Sequence, residues 1–353
     1  MWKQSAHTGT AVAFSEITPE DDFLHPVAPD APFTSIETNL YGFNIPGEDI
    51  QCNIYLLWHP VLKTMSAHLF VYRGARILRH QLAADYFVEH QYLPAVDDIR
   101  DYRLQMGSCA MRLRVDKPLD RISIEVDDPP RAFALRLNYE AAMPPVGRPG
   151  GKHFTQLMKT RGELTLDGTR HDIDGFYVRD RSWGYARPEQ PEQTPPYRWI
   201  TGWFGADCGF VLAWLDTGLL DGEAFGERWH QLVDGPDGKG INKWESGGPT
   251  PSLNLRSGWF AVNGDPRPVV RIDVRTQIDE TSLVVKAIEL DIEDASGDVH
   301  HVVGETVSMI PKMYWQNLLV HMHCMRLRYE GRRGEGDLMD TYSNFHIRKV
   351  AAR

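Results

Sequence analysis

The stretch GELTLDGTRHDIDGFYVRDRSWGYARPE, Gly162–Glu189, decides the fold class. Asp167-Gly168 separates GELTL from TRHDIDG. An Asp-Gly pair between two alternating runs supplies the positive φ angles of a tight hairpin. GFYV follows, and then RDRSWGYARPE, Arg179–Glu189, gathers three arginines, two carboxylates, a tryptophan and a tyrosine into eleven residues. Side chains alternate along a strand, so Arg179 and Arg181 are sent to the face opposite Asp180.

The same two-residue period runs outward in both directions. MRLRV lines up Met111, Leu113 and Val115, and RISIEV lines up Ile122, Ile124 and Val126. AFALRLNY aligns Phe133, Leu135, Leu137 and Tyr139, and VRIDVRT aligns Val270, Ile272 and Val274. SLVVKAIELDIED continues the pattern. Such alternation marks antiparallel strands with one wet face. DASGD, Asp294–Asp298, and EGRRGEG, Glu330–Gly336, read as turns between further strands. HQLAADYFVEHQYL, His80–Leu93, is a candidate helix, and PKMYWQNLLVHM, Pro311–Met322, fits either a helix start or a strand. The chain is therefore mostly β, of the sandwich or barrel class. AAMPPVGRPGG, Ala141–Gly151, has no period and reads as a linker, which divides the chain into residues 1–150 and 151–353. The Pro-rich Ala186–Tyr197 stretch reads as a pocket rim, and Gly222–Ser252 as an irregular surface region.

The 353 residues and a 42% apolar fraction with ten tryptophans support a substantial core. The formal net charge of −10 argues against nucleic acid as the main partner, because phosphate binding needs a basic face. The opening MWKQSAHTGTAVAF is too polar for a signal peptide, and the sequence contains no run of apolar residues long enough to span a membrane. The four cysteines, Cys52, Cys109, Cys208 and Cys324, show no metal or redox spacing and read as reduced thiols of a cytoplasmic protein.

GFYVRDRSWGYARP resembles the G-x-x-x-R-D-x-S-W-G-x-R signature of the AttH-like and carotenoid-hydratase-like proteins. ELTLDGTRHDIDG is similar to the hairpin before that signature, and YRWITGWFGADCGFVLAW to the strands after it. VVGETVSMIP and MRLRYEGRRGEGDLMDTYSN resemble the closing strands, and LYGFNIPGEDIQCNIYLLWHP more loosely the opening ones. The resemblance implies two lipocalin-related antiparallel β-barrel domains in one chain, the second carrying RDRSWG. It also implies a cofactor-independent catalyst or binder of hydrophobic small molecules, with hydration, dehydration and pericyclic ring formation among the activities of the wider group. The family usually has His after the Asp, and here Arg181 stands instead.

Asp180 is the first catalytic candidate. On the inner face of an apolar barrel it would lose water, and burial raises a carboxyl pKa into the range of a useful acid. Its arginine neighbours would then face outside or a buried counter-charge, with Arg179 a candidate for substrate binding. Trp183 and Tyr185 would share the wall, where an aromatic face stabilises developing positive charge. A salt-bridged, tryptophan-anchored structural corner is the competing reading of RDxSWG. His321 and His323 are two apart and share a strand face, as half of a metal site or as hydrogen-bonded wall residues that can act as acid or base. No third ligand among His300, His301 and Glu305 can be placed from sequence, so no metal is assigned. His68, Phe70 and Tyr72 share a face that either lines a pocket or is simply core. Tyr314, Trp315, Tyr342 and Trp199 bring further aromatic groups to the closing and central strands. Arg187 and Arg198 flank the Pro-rich loop and read as surface, with an anionic substrate group as the alternative.

No G-x-S-x-G elbow, P-loop, H-E-x-x-H or G-x-G-x-x-G context occurs. The functional expectation is a lyase (hydratase, dehydratase or retro-aldol type) or isomerase without a cofactor, acting by acid–base chemistry on an aromatic or terpenoid molecule. Asp180, Tyr185, His321 and Tyr342 are its catalytic candidates, and Arg179, Trp183, Trp199, His68, Tyr72, Tyr314 and His323 its binding candidates. A lipocalin-like carrier with the same pocket and no chemistry is the alternative. A homodimer is admitted.

Overall fold

The computed structural model describes residues 2–7, 13–76, 78–92, 99–186, 196–216, 253–279, 282–312, 318–344 and 347. Within them the chain is almost entirely strand. The elements run β1 (Trp2–His7), β2 (Ser35–Ile45), β3 (Ile50–His59), β4 (Thr64–Arg73), β5 (Ala84–Tyr92), β6 (Asp101–Met106) and β7 (Cys109–Lys117). They continue with β8 (Arg121–Asp128), β9 (Phe133–Ala141), β10 (Val146–Gly147), β11 (His153–Leu166), β12 (Thr169–Ala186) and β13 (Tyr197–Trp203). The last are β14 (Gly209–Asp216), β15 (Leu253–Val262), β16 (Asp265–Ile278), β17 (Val285–Asp294), β18 (Val299–Lys312), β19 (Leu318–Tyr329) and β20 (Arg332–Ser343).

Two antiparallel barrels result. Ten strands in the order β5-β4-β3-β2-β12-β11-β9-β8-β7-β6 form the first, which is nearly closed, and β10 adds to β11. Eight strands, β13 to β20, form the second, closed by the pairing of β16 with β17, and β1 adds to β16. The Asp167-Gly168 turn forms as expected, both residues at positive φ (49° and 76°), and fixes the register of β11 against β12. Asp294–Asp298 likewise turns β17 into β18, and Glu330-Gly331 turns β19 into β20, whereas the rest of the expected Glu330–Gly336 turn, Arg332–Gly336, is the start of β20.

The expected boundary at 150/151 does not coincide with the change of sheet. β11 and β12 pair with β9 and β2, so the RDRSWG segment belongs to the first barrel, and the chain crosses over only between Ala186 and Tyr197. Ala141–Gly151 is a short excursion within the first barrel, where Val146 and Gly147 pair with Thr155 and Phe154. The candidate helix His80–Leu93 is instead a 3-10 turn, Arg79–Gln81, followed by β5. Its spacing fails as a helix because residues 84–92 pair along β4, which is a tertiary decision. Pro311–Met322 resolves into the end of β18 and the start of β19, with 313–317 outside the described residues. Most of Ala186–Tyr197 and all of Gly222–Ser252 also lie outside them.

The motif arginines hold the first barrel together. Arg179 and Arg181 are wholly buried. Arg179 donates to both carboxylate oxygens of Asp22 (2.6 and 3.2 Å) and to Gln156 Oε1 (3.0 and 2.7 Å). Arg181 donates to Glu37, to the Phe23 carbonyl (2.6 Å) and to the Ser182 carbonyl (2.9 Å). Trp183 stacks on His25 with ring centroids 4.3 Å apart and planes 7° apart. Four of these contacts reach residues 22–25, so RDRSW clasps the segment that precedes β2. Burial raises the Glu37 carboxyl, but its bonds to His25 and Arg181 outweigh that and leave its pKa lowered.

Candidate functional site in the seam between the barrels

Strand register lays out the outer face of the first barrel row by row. Thr155 pairs with Asp180, Asp180 with Leu40, Leu40 with Tyr55, Tyr55 with His68 and His68 with Phe87. These six residues form one transverse row across β11, β12, β2, β3, β4 and β5. The row is turned towards the second barrel, because the Trp259 indole on β15 donates to the Thr155 hydroxyl (2.8 Å). The opposing face carries Trp199, paired with Met339, which pairs with Met322, which pairs with Ile310. One hydrophobic cluster joins the first-barrel residues Leu40, Tyr55, Leu157 and Val178 to Trp199, Trp203, Val211, Ala213 and Trp259 of the second. A second joins Phe70 and Tyr72 to Ile310, Val320 and Met322. Two apolar clusters thus pack the space between the barrels.

Two histidine–carboxylate pairs adjoin that packing. His153 Nε2 hydrogen-bonds Asp180 Oδ2, and both side chains are nearly buried. His68 Nε2 lies 2.5 Å from Asp85 Oδ1. In each pair the partner is diagonal, two residues off the directly opposed position, which is within reach on a twisted sheet. The buried Lys312 Nζ stands 2.9 Å from His68 Nε2 and over the Phe70 ring. Asp180 and His68 are three strands apart, about 14 Å between backbones.

Asp180 does sit on the opposite face from its arginines, and these meet buried counter-charges, one of the two expected outcomes, but it is they and not Asp180 that face a barrel interior. The arginines point into a barrel, against the buried counter-charges Asp22 and Glu37, and Asp180 points out into the seam. His68, Tyr72, Asp180 and Trp199 all line the seam. Arg179 does not, and Trp183 is held on His25. Tyr314 and the side chain of Tyr185 lie outside the described residues.

His321, His323 and Tyr342 form a separate group inside the second barrel, at the end where β13, β15, β17 and β19 begin. Tyr342 donates to Asp340 Oδ2 (2.5 Å), and Arg198 Nε donates to Asp340 Oδ1 (3.0 Å). Arg198 is wholly buried, not on the surface. His321 Nδ1 donates to the Leu283 carbonyl (3.3 Å) and His323 Nδ1 to the Leu338 carbonyl (3.2 Å), which leaves Nε2 as the lone-pair nitrogen of each neutral ring. Burial lowers both imidazoles, His323 to about 4, so His323 is neutral at pH 7. Burial, and then the Asp340 charge, push the Tyr342 phenol well above its usual value. Among the described residues no three His, Cys, Asp or Glu side chains converge as a metal site.

Sequence reasoning missed His153, Asp85, Lys312 and Asp340. His153 could have been found. Counting back from the Asp167-Gly168 turn places Thr155 opposite Asp180 and His153 one diagonal step away. Asp85 could not, because a register shift between Met65 and Ala67 breaks the count from β4 to β5. Two concavities of about 490 and 460 Å³ occur on the outer wall of the first barrel, lined by groups such as Arg114, Lys159 and Arg161, or Arg103, Glu125 and Asp127. Their walls are charged, so they do not suit an apolar ligand.

Comparison with known proteins agrees with this architecture. A family model described as "Domain of unknown function (DUF7064)" matches residues 18–344. No curated protein matches the sequence. Among solved structures, the chain is similar to kievitone hydratase from Nectria haematococca at 10% identity and TM-score 0.50, covering 98% of both chains. It is similar to CghA at 11% identity and TM-score 0.56, covering 97% of this chain and 98% of that one. An AttH-type protein of Nitrosomonas europaea matches at 12% identity and TM-score 0.50, over 91% of this chain and 100% of that one. At these identities the likeness establishes the shared fold, as the sequence resemblance implied. No described helix is long and apolar enough to cross a membrane.

Proposed function

The chain belongs to this DUF7064 family, whose description names no activity, and we propose that it is a lyase or isomerase working through its own acid and base side chains on a hydrophobic small molecule. The observation that carries this reading is the His153–Asp180 pair, a nearly buried imidazole and carboxylate bonded to each other at the edge of the apolar layer between the barrels. A carrier of apolar ligands gains nothing from placing a carboxylate and an imidazole there, since each costs desolvation. Kievitone hydratase, named for hydration, shares the fold and supports the reaction class.

The spacing of about 14 Å between Asp180 and His68 is too long for the two pairs to act on adjacent atoms of one molecule. One pair therefore does the chemistry. In the dehydrating direction His153 removes a proton from carbon, and the C–O bond on the neighbouring carbon breaks. The C=C bond forms, and the same proton leaves with the hydroxyl as water. Asp180 stabilises the imidazolium between those events, and hydration is the reverse. Isomerisation needs only that the proton return to a different carbon. The Lys312–His68–Asp85 group then holds an oxygen at the far end of a multi-ring substrate, with Leu40, Tyr55 and Trp199 along its length. Cytoplasmic placement belongs to the same reading, since Cys52, Cys109, Cys208 and Cys324 are all free and buried.

The test is a mass-spectrometric turnover screen of the protein and its Asp180→Asn variant against terpenoid alcohols, alkenes and phenolic ring compounds. A product differing by one water, or isomeric with a new retention time, and lost in the folded variant, is the expected result. Tight, pH-independent binding of a compound recovered unchanged would establish the carrier instead.

A further inference from the structure

Below the Asp180–His68 row the seam holds a second, wholly polar cluster. Gln51 and Asn53 precede Tyr55 on the same face of β3, and Asp337 precedes Met339 on the same face of β20. All three are buried to within 1% of complete, and Asn44 and Tyr177 border them. Gln51 Nε2 donates to Asp337 Oδ1 (2.6 Å). Asn53 Nδ2 donates to the Cys52 carbonyl (3.1 Å) and to the Tyr177 hydroxyl (3.0 Å). Tyr177 reaches this point because position 42 is glycine: a Cβ there would come within 2.6 Å of the Tyr177 ring.

These bonds fix which end of each amide is which. Each amide nitrogen is the end that meets an acceptor, so Oε1 of Gln51 and Oδ1 of Asn53 are the ends left over. Gln51 Oε1 and Asn53 Oδ1 are buried without a hydrogen-bond partner, and Tyr177, Asn44 and Asn53 stand beside Gln51 around the Asp337 carboxylate. A buried acceptor left unmet costs about 1–3 kcal/mol, and such atoms are few in a native fold. Two unmet acceptors on β3, facing a buried carboxylate of the second barrel, call for a partner that donates. Burial also pushes the Asp337 carboxyl up to about 6, against the lowering effect of Tyr177, Gln51 and the two asparagines.

We infer that Gln51, Asn53 and Asp337 form the polar floor of the seam, which receives a hydrogen-bond-donating end, a hydroxyl or phenol, of the hydrophobic molecule bound there. The inference rests on the seam being the binding site, and it narrows the substrate class to molecules with a hydroxyl at one end. A ligand ending in an ether, ester or halogen would leave Gln51 Oε1 and Asn53 Oδ1 unmet.

Binding, not turnover, tests it. Para-phenylphenol and para-fluorobiphenyl match in size and differ in the donor. Calorimetric titration should show the phenol binding the full-length protein about tenfold more tightly, as one buried hydrogen bond implies. Gln51→Met, which keeps the volume and removes Oε1 together with the Nε2 donor to Asp337, should change that preference by at least about threefold. Equal affinities in the unmutated protein, no binding of the phenol, or an unchanged preference in a folded Gln51→Met variant would overturn the inference. If that variant does not fold, a crystal structure with the phenol decides. Its hydroxyl should lie within about 3.2 Å of at least one of Gln51 Oε1 and Asn53 Oδ1. Ordered waters alone on them would refute the assignment. Loss of turnover in the Asp180 test bears only on the chemistry, so the two failures are distinguishable.

Discussion

His153 and Asp180 stand on adjacent strands, one diagonal step apart, and share a hydrogen bond at the edge of the apolar layer between two barrels. Neither contributes to either barrel's core. If the pair is catalytic, Asp180→Asn and His153→Gln should each lower kcat by about 10²- to 10⁴-fold with little change in Tm. The double variant should be no slower than the worse single one, because the two residues act as a unit. Steady-state kinetics beside thermal melts check this. A structural pair would show the reverse pattern, with Tm falling and kcat per folded molecule unchanged.

Arg179 serves a different purpose although it adjoins Asp180 in sequence. Arg179→Met leaves the Asp22 carboxylate buried without its counter-charge, which costs about 3–5 kcal/mol. Adding Asp22→Leu should restore only about half of that loss. Asp22 also accepts from the Leu119 amide (2.6 Å), and the second substitution strands that donor. Urea unfolding of the two variants against the unmutated chain measures both numbers.

The period-two pattern made the strands legible, and the turns at Asp167-Gly168 and Asp294–Asp298 fell where their residues indicated, while only Glu330-Gly331 of the expected Glu330–Gly336 turn is a turn and Arg332–Gly336 opens β20. The division of the chain was not legible. Ala141–Gly151 has the composition of a linker, but hydrogen bonds from β11 and β12 to β9 and β2 outweigh composition, and local sequence does not report pairing over such distances. The orientation of RDRSWG was half legible. Alternation separated Asp180 from the arginines, but which face is inside depends on Asp22 and Glu37. Asp22 lies in TPEDDFLHP, which reads as an ordinary polar loop. The seam was hidden for the same reason, since its two faces come from strands that alternate normally and meet only in the tertiary structure.

His321 and His323 hold defined tautomers, each Nδ1–H bonded to a backbone carbonyl. A nitrogen-15 NMR titration should therefore show His323 as the Nδ1–H tautomer, with no protonation between pH 5.5 and 8 if its pKa is about 4. A midpoint near the ordinary 6.5 would mean that water reaches the ring and that the second barrel is open at that end.

Asp337 and His323 should give opposing pH dependences to folding. The Asp337 carboxyl is raised from 3.8 to about 6, so between those values the unfolded chain releases a proton that the folded chain keeps. Stability from this group is therefore full at low pH and falls as pH rises, by up to about 1.4 kcal/mol per pH unit and about 3 kcal/mol in all. His323 is lowered from 6.5 to about 4, so on acidification the unfolded chain binds a proton that the folded chain refuses. Its contribution falls as pH drops through the same interval, by a similar amount. The two slopes nearly cancel in the intact protein. Asp337→Asn should then unmask a stability that rises with pH between about 4.5 and 6, and His323→Phe one that falls, each relative to the unmutated chain. Urea midpoints at four or five pH values in that window decide. Parallel curves for all three proteins would show that neither group is desolvated in the folded state, and with it that the floor of the seam is wet.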